Sequence, residues 1–443
     1  MPGTPAERKE STVMTRPTDQ GPIASRRPTP RRRAAIGFVA VLVAALAIPS
    51  VAAAGGAAAA AGSGAGPPQA VAAGGSLRAW GLNDFGQLGN DTTISSDTPV
   101  KVQLPAGTRV TSMRAGCGHS LALTTTGQVL AWGDNRDGEL GDGTTTSTGT
   151  PVMVKLPLGS KVKAIRAGCF HSLALTTKGH VLAWGFSGQG ELGNGSVLTS
   201  PEPVRVKLPK GTKVAAISAG AYHGLARTTT GRLYAWGANE SGELGDGTTT
   251  NRDIPVRVKL PKRTKVTLIG AGEGHSLART STGKVVAWGD NGDGDLGNGT
   301  TTPSSTPVRV KLPRRTKLRG LFGGCAESLA LTAKGHVLAW GDNGAGQLGD
   351  GTTTSRDTPV RVKLPTGTKV TAVAAGCSHN LALTAKGHVL AWGFGLLGQL
   401  GNGGTTNSNL PVRAEIPAGL VAIAVAAGPE ADHSLAIVHK ATQ

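Results

Sequence analysis

The chain has 443 residues, of which 67 are glycine and 26 proline, yet 38% are hydrophobic. A core can be buried, but only by short elements broken by frequent turns, which argues against a fold of long helices. The net charge is +19; residues 1–54 hold eight basic and three acidic residues, so most of the excess belongs to the body of the protein and suggests attraction to anionic polymers or surfaces.

Taken in chain order, the first 54 residues read as a leader with a signal peptide. Arg26, Arg27, Arg31, Arg32 and Arg33 precede an apolar run over 34–48, which Pro49 ends; Ala52-Ala53-Ala54 then offers a small-residue cleavage site. The run is short against the roughly 20 residues of a spanning helix, which favours a cleaved signal over a retained anchor. Ser25-Arg26-Arg27 hints at twin-arginine export without the usual following pattern. Residues 55–76 form an Ala/Gly-rich linker.

From there one period organises the chain. Trp80, Trp132, Trp184, Trp236, Trp288, Trp340 and Trp392 recur every 52 residues, each in an Ala-Trp-Gly triplet followed by a turn such as Gly138-Glu139-Leu140-Gly141. A strict period of this length marks a repeat architecture. Each period holds four strand-like runs, for example Val162–Ala167, His171–Thr176, 180–184 and 204–208. The last alternates Val204, Val206 and Leu208 with Arg205 and Lys207, as a strand with one wet face does. The predicted fold is therefore all-β: a seven-bladed β-propeller of four-stranded antiparallel blades over 77–439. The chain enters on third- and fourth-type strands (77–80, 100–104) and ends on first- and second-type strands (421–426, 433–438), so both termini build one composite blade that closes the ring.

The recurring phrase A-G-x-x-H-S-L-A-L-T-x-x-G-x-V-x-A-W-G-x-N-x-x-G-x-L-G-x-G, nearly complete over 115–143, resembles the regulator of chromosome condensation repeat. The resemblance implies the propeller fold. It is less specific for function. The founding eukaryotic member is a guanine-nucleotide exchange factor that inserts a wedge from one blade; the constant spacing here leaves no place for a wedge, and that reading has least support. A secreted bacterial branch that includes β-lactamase inhibitors, which bind through loops on one face, matches the leader better.

Individual motifs carry both structural and functional readings. The tryptophans would pack between blades rather than stack on ligands. His119, His171, His223, His275, His379 and His433 follow a tight Gly turn in six repeats, with Glu327 in the fifth; a turn-stabilising hydrogen bond is expected, since zinc needs its ligands around one point. Asp134-Asn135-Arg136-Asp137-Gly138 and Asp290-Asn291-Gly292-Asp293-Gly294 do not fit calcium-loop spacing. Cys117, Cys169, Cys325 and Cys377 share one repeat position. Export permits disulfides, and bonding needs Cα atoms within about 7 Å, so both states remain open. No asymmetric catalytic trio stands out, and the chain is read as a non-enzyme without metal or cofactor.

Charge placement carries the functional reading. Of the 24 acids after residue 54, all but Glu415 fall in the turns and long loops of one face. Lys210, Lys213, Lys262, Arg263, Lys265, Arg314, Arg315 and Lys317 fall on the other. Phe85, Phe170, Phe186, Tyr222 and Phe394 break the repeat on the loop face and are its candidate binding residues. The expectation is a secreted or cell-surface monomer that binds an unidentified protein through this face, in an inhibitor-like way. The alternative is a cell-envelope module holding anionic wall polymer on its basic face. Nucleic acid is not expected, nor membrane unless the N-terminal segment is retained.

Overall fold

A computed structural model describes residues 75–428 and 430–441; the predicted leader and all but the end of the linker lie outside them. The described residues form 28 strands, β1 to β28 in chain order, arranged as seven four-stranded antiparallel sheets. Blades 1 to 6 span 110–153, 162–205, 214–257, 266–309, 318–361 and 370–413. Blade 7 is composite, in the order β2 (Ser96–Lys101), β1 (Ser76–Gly81), β28 (His433–Lys440), β27 (Leu420–Ala426). Six paired residues, Ser76↔Val438 through Gly81↔His433, join the two ends of the chain. The first strands of the blades are β3 (Val110–Ala115), β7 (Val162–Ala167), β11 (Val214–Ala219), β15 (Val266–Ala271), β19 (Leu318–Gly323), β23 (Val370–Ala375) and β27. They touch one another in a closed circle and ring the axis.

Blade 2 illustrates why these residues form these elements. In β8 (His171–Thr176) every residue is buried, because both sheet faces pack on neighbouring blades. The outermost strand differs from its predicted span: β10 covers Ser200–Arg205, four residues earlier than the apolar alternation indicates. Its pairing with β9 (Val181–Gly185) is irregular between Ser200 and Val204, where Pro203 stands. Proline donates no ladder bond, so it is tolerated on an edge strand at such an irregularity. Each blade carries this proline on its outer strand, at Pro99, Pro151, Pro203, Pro255, Pro307, Pro359 and Pro411. That blunts the edge that another chain could extend.

The core lies between blades, and the tryptophans build it. All seven are fully buried, and Trp184 packs with Leu121, Leu123, Val129 and Leu140 of blade 1. Each indole also donates to a backbone carbonyl of the preceding blade: Trp184 Nε1 to Glu139 at 2.7 Å, Trp132 Nε1 to Gln87 at 2.9 Å, Trp80 Nε1 to Gln399 at 2.9 Å. The acceptor is the middle residue of the Gly-x-Leu-Gly turn, which explains why triplet and turn repeat together.

Where the sequence suggests a hydrogen bond that stabilises each histidine's own turn, five of the histidines reach instead into the next blade. His119, His223, His275, His379 and His433 place Nε2 within 3.0 Å of the hydroxyls of Ser172, Ser276, Ser328, Ser434 and Ser120. Each of these serines donates its proton to the same carbonyl that the tryptophan uses. A hydroxyl has one proton, so the imidazole must donate Nε2–H, and the carbonyl fills both lone pairs. The exception in blade 5 follows the same logic in reverse. Glu327 supplies only acceptors, and its partner position holds Asn380, whose amide donates to Glu327 Oε1 at 3.4 Å and to Gln347 O at 2.8 Å.

Ser172→Ala removes a hydroxyl that serves both His119 and the Glu139 carbonyl. It should destabilise the protein by about 1–3 kcal/mol in urea unfolding.

Candidate functional site

The two faces are distinct. Each turn between first and second strands hydrogen-bonds to the long loop that follows the third, as Asp134 N–H does to Gly118 O and Phe186 N–H to Phe170 O. The connections from fourth to first strands meet the turns between second and third instead, as Thr125 N–H does with Arg109 O.

At the centre of the loop face, the turns close over the end of the channel. Cys117 and Cys169 are joined in a disulfide across blades 1 and 2, with Cα atoms 4.6 Å apart; Cys325 and Cys377 are joined across blades 5 and 6, at 4.1 Å. Adjacent turns approach this closely because they are the innermost points of the ring. Between the disulfides, Cys169 N–H donates to Ala221 O and Glu273 N–H to Gly324 O, each at 3.0 Å. Glu430, in the turn of the composite blade, lies 3.1 Å from Cys117 Sγ and hydrogen-bonds to the Glu273 carboxyl across the mouth. Burial, and the Glu273 charge next, push the Glu430 carboxyl well above its ordinary range. Its φ of 81° places a side chain in the left-handed region, a strained conformation that clusters at functional positions.

All five candidate aromatics are half-buried on this face. Phe170 and Tyr222 meet with ring centroids 6.0 Å apart and pack on the Cys117–Cys169 disulfide. Phe85, from blade 7, lies under the Arg136 guanidinium of blade 1 at 4.5 Å, and Asp134 holds that guanidinium at 2.7 Å. Phe186 folds over Gly188, and Phe394 occupies the equivalent position in blade 6. The structure thus joins Phe170 to Tyr222, spaces the others along an arc over blades 6, 7, 1, 2 and 3, and fills the gap at blade 1 with Arg136. Exposed aliphatics in the same loops lengthen the arc: Ile94, Val197, Leu198 and Leu396, with Leu198 74% exposed. Ile94 and Leu198 stand where the other five blades place threonine, a departure legible in the sequence once the repeats are aligned.

The acidic character of this face is weaker than loop placement suggests. Ten of its carboxylates are buried, among them Glu139, Glu191, Glu243, Asp295, Glu327, Glu430 and Asp432. Several accept backbone N–H groups of their own turns, as Glu139 does from Asp137. Burial raises Glu139 to about 8, Glu243 to about 7 and Asp432 to about 8, with Asp295 and Glu327 also well above normal. In the loops that resemble calcium sites, the Asn135 amide donates to the Thr144 and Thr146 carbonyls, and the Asn291 amide to those of Thr300 and Thr302. An amide thus turns its hydrogens toward the carbonyls at the loop centre. The basic residues of the opposite face, Lys210, Lys213, Lys262, Arg263, Lys265, Arg314, Arg315 and Lys317, are all exposed.

Residues 76–436 match the family model described as the RCC1-like domain. The chain is 32% identical over 343 residues to the ultraviolet-B receptor UVR8 of Arabidopsis thaliana, spanning 77% of this chain and 78% of the receptor. It is 33% identical over 363 residues to the human E3 ubiquitin-protein ligase HERC2, spanning 81% of this chain but 7% of that protein. Among solved structures it shares its fold with a chain in the crystal structure of Kap60 bound to yeast RCC1 (Prp20), with TM-score 0.76, 24% identity, and 84% and 90% of the two chains covered. Human WBSCR16 gives TM-score 0.73 at 23% identity, with 83% and 100% covered.

The buried titratable groups set opposing pH trends. Burial lowers His119 and His275 to about 4, and His171, His223, His379 and His433 to about 3. Stability from these neutral rings is fully present above their ordinary 6.5 and is lost as pH falls toward those values. Stability from the protonated carboxyls is fully present below about 4.5 and is lost as pH rises through about 7 to 8. Melting temperature should therefore peak between about pH 5 and 6.5 and fall by about 5 °C or more at both pH 3.5 and pH 9. Calorimetry across pH tests this, and a melting temperature that climbs steadily to pH 9 would contradict it.

Proposed function

We propose, from the premise that this chain belongs to the RCC1-like domain family, that it is a non-catalytic protein-interaction scaffold working through its loop face. The observation that carries this reading is the asymmetric arc of half-buried aromatics and exposed aliphatics beside the disulfide-clasped mouth. A sevenfold ring presents near-identical surfaces, so a specific partner must read the departures from the repeat. Here the departures are Phe85, Phe170, Phe186, Tyr222 and Phe394, aromatics of the class that anchors interfaces, with Ile94, Leu198 and Leu396 adding exposed apolar area beside them. Phe170 and Tyr222 stand on turns fixed by an inter-blade bond and the Cys117–Cys169 disulfide, so little ordering of this pair is required on binding. In the finer form of the proposal the partner is extracellular and the scaffold covers a site on it, as an inhibitor does. The propeller named in the Kap60 complex is bound to a protein, which is consistent with such a use of the fold.

A second reading is favoured by one observation on the basic face. Arg263 and Arg315 adopt φ of 65° and 62° at a turn position where five blades place glycine, Gly107, Gly159, Gly211, Gly367 and Gly419. A left-handed conformation disfavours any side chain. Retaining arginine there, beside Lys262, Lys265, Arg314 and Lys317, supports a role in holding an anionic envelope polymer.

Affinity capture from envelope and secreted fractions, eluted in a salt gradient, separates the two. The full chain should retain one discrete protein through high salt, and Phe170→Ala with Tyr222→Ala should weaken that retention about 10- to 100-fold. Retention that survives the double substitution sinks the loop-face reading. Arg263→Gly and Arg315→Gly should each leave stability equal or raise it by up to about 1 kcal/mol. Both should lower the salt at which the protein leaves a polyanion column, and unchanged elution would remove the basic-face reading.

A further inference from the structure

One position on the innermost strands ends in a different residue in each part of the ring. It pairs with the leucine of every second strand: Arg114↔Leu121, Arg166↔Leu173, Ser218↔Leu225, Gly270↔Leu277, Phe322↔Leu329, Ala374↔Leu381 and Ala426↔Leu435. Three adjacent blades thus supply hydrogen-bond donors, and the remaining four supply small or apolar groups.

The donors are buried and underused. Arg114 is 3% exposed, Arg166 7% and Ser218 1%. Each guanidinium bonds to the carbonyl of the residue before it, Arg114 Nη1 to Met113 O and Arg166 Nη1 to Ile165 O. Among the described residues, Nε of both arginines and Oγ of Ser218 have no protein partner, and no carboxylate forms an ion pair with either arginine. The two cations also repel one another, and burial with that repulsion lowers Arg114 well below its ordinary range. Two like charges removed from water without a counter-charge are strongly unfavourable, whereas one anion between them supplies charge and acceptors together.

We propose that Arg114, Arg166 and Ser218 form a binding site for a small tetrahedral oxyanion, of the phosphate or sulfate class, inside the central channel. Two guanidiniums and a hydroxyl present donors to separate oxygens of one such ion. The anion enters from the basic face. The connections that lead into the first strands lie there, and Lys163 is exposed near the start of β7. The other end is closed by the disulfides and by Glu430 hydrogen-bonded to Glu273, whose negative charge repels an anion.

Inorganic phosphate, sulfate, acetate and chloride at matched ionic strength, added to the full chain, test the site by calorimetric titration and by melting temperature. Phosphate or sulfate should bind at one ion per chain and raise the melting temperature by about 3 °C or more over chloride. Arg114→Met and Arg166→Met should each weaken binding at least about tenfold. Both variants should still fold, because methionine replaces the apolar stem of arginine with a flexible chain of similar length. Their melting temperature in chloride should equal or exceed that of the parent once the repulsion is gone. Lys262→Gln with Lys265→Gln should leave the stoichiometric binding intact. An equal response to chloride, a response to acetate alone, or phosphate binding that persists in the double arginine variant would each overturn the assignment.

Discussion

One backbone carbonyl per blade holds this ring together. The middle residue of each Gly-x-Leu-Gly turn offers two lone pairs to the next blade, and the indole of the repeat tryptophan takes one of them at every junction. A serine hydroxyl takes the second at five junctions, with a histidine of the preceding blade behind it, and Asn380 takes it at a sixth. The bonds are buried, where an unpaired partner is expensive, so blade spacing tolerates little variation. The constant 52-residue period is the sequence image of that requirement.

The junction between blades 2 and 3 shows how the arrangement adapts. Gly224 stands where five blades carry serine and one asparagine, and a side chain there would run into the Trp236 ring. Trp236 keeps its bond to Glu191 O at 2.8 Å. The relaxed junction borders Phe170 and Tyr222 on the loop face and Ser218 at the channel, so departures from the repeat gather in one sector of the ring.

A regular ring is a poor recognition surface and a good scaffold for one. The inter-blade bonds and the two disulfides fix the turns at the mouth, and departures from the repeat fall at positions that those bonds do not constrain. The aromatic arc, the left-handed arginines and the Arg114–Arg166–Ser218 arc are all of this kind. Each is invisible to a single repeat and appears only when seven copies are compared around a closed circle.

The sequence by itself determined the architecture. The tryptophan period, four strand-like runs per period and the split blade at the termini specify seven blades, because local alternation and turn chemistry act over a few residues and recur in every period. Outer-strand limits were less legible, since Pro203 shifts the pairing in a way that hydrophobic alternation does not report. Tertiary structure alone decided what lies 52 residues apart. It brought Cys117 to Cys169 and Cys325 to Cys377, and turned histidines from their own turns to the serines of neighbouring blades. It also buried carboxylates such as Glu139 and Asp432 that loop placement assigns to water. The reason is geometric: contacts across a junction depend on how tightly seven twisted sheets close around one axis, and no single repeat encodes that closure.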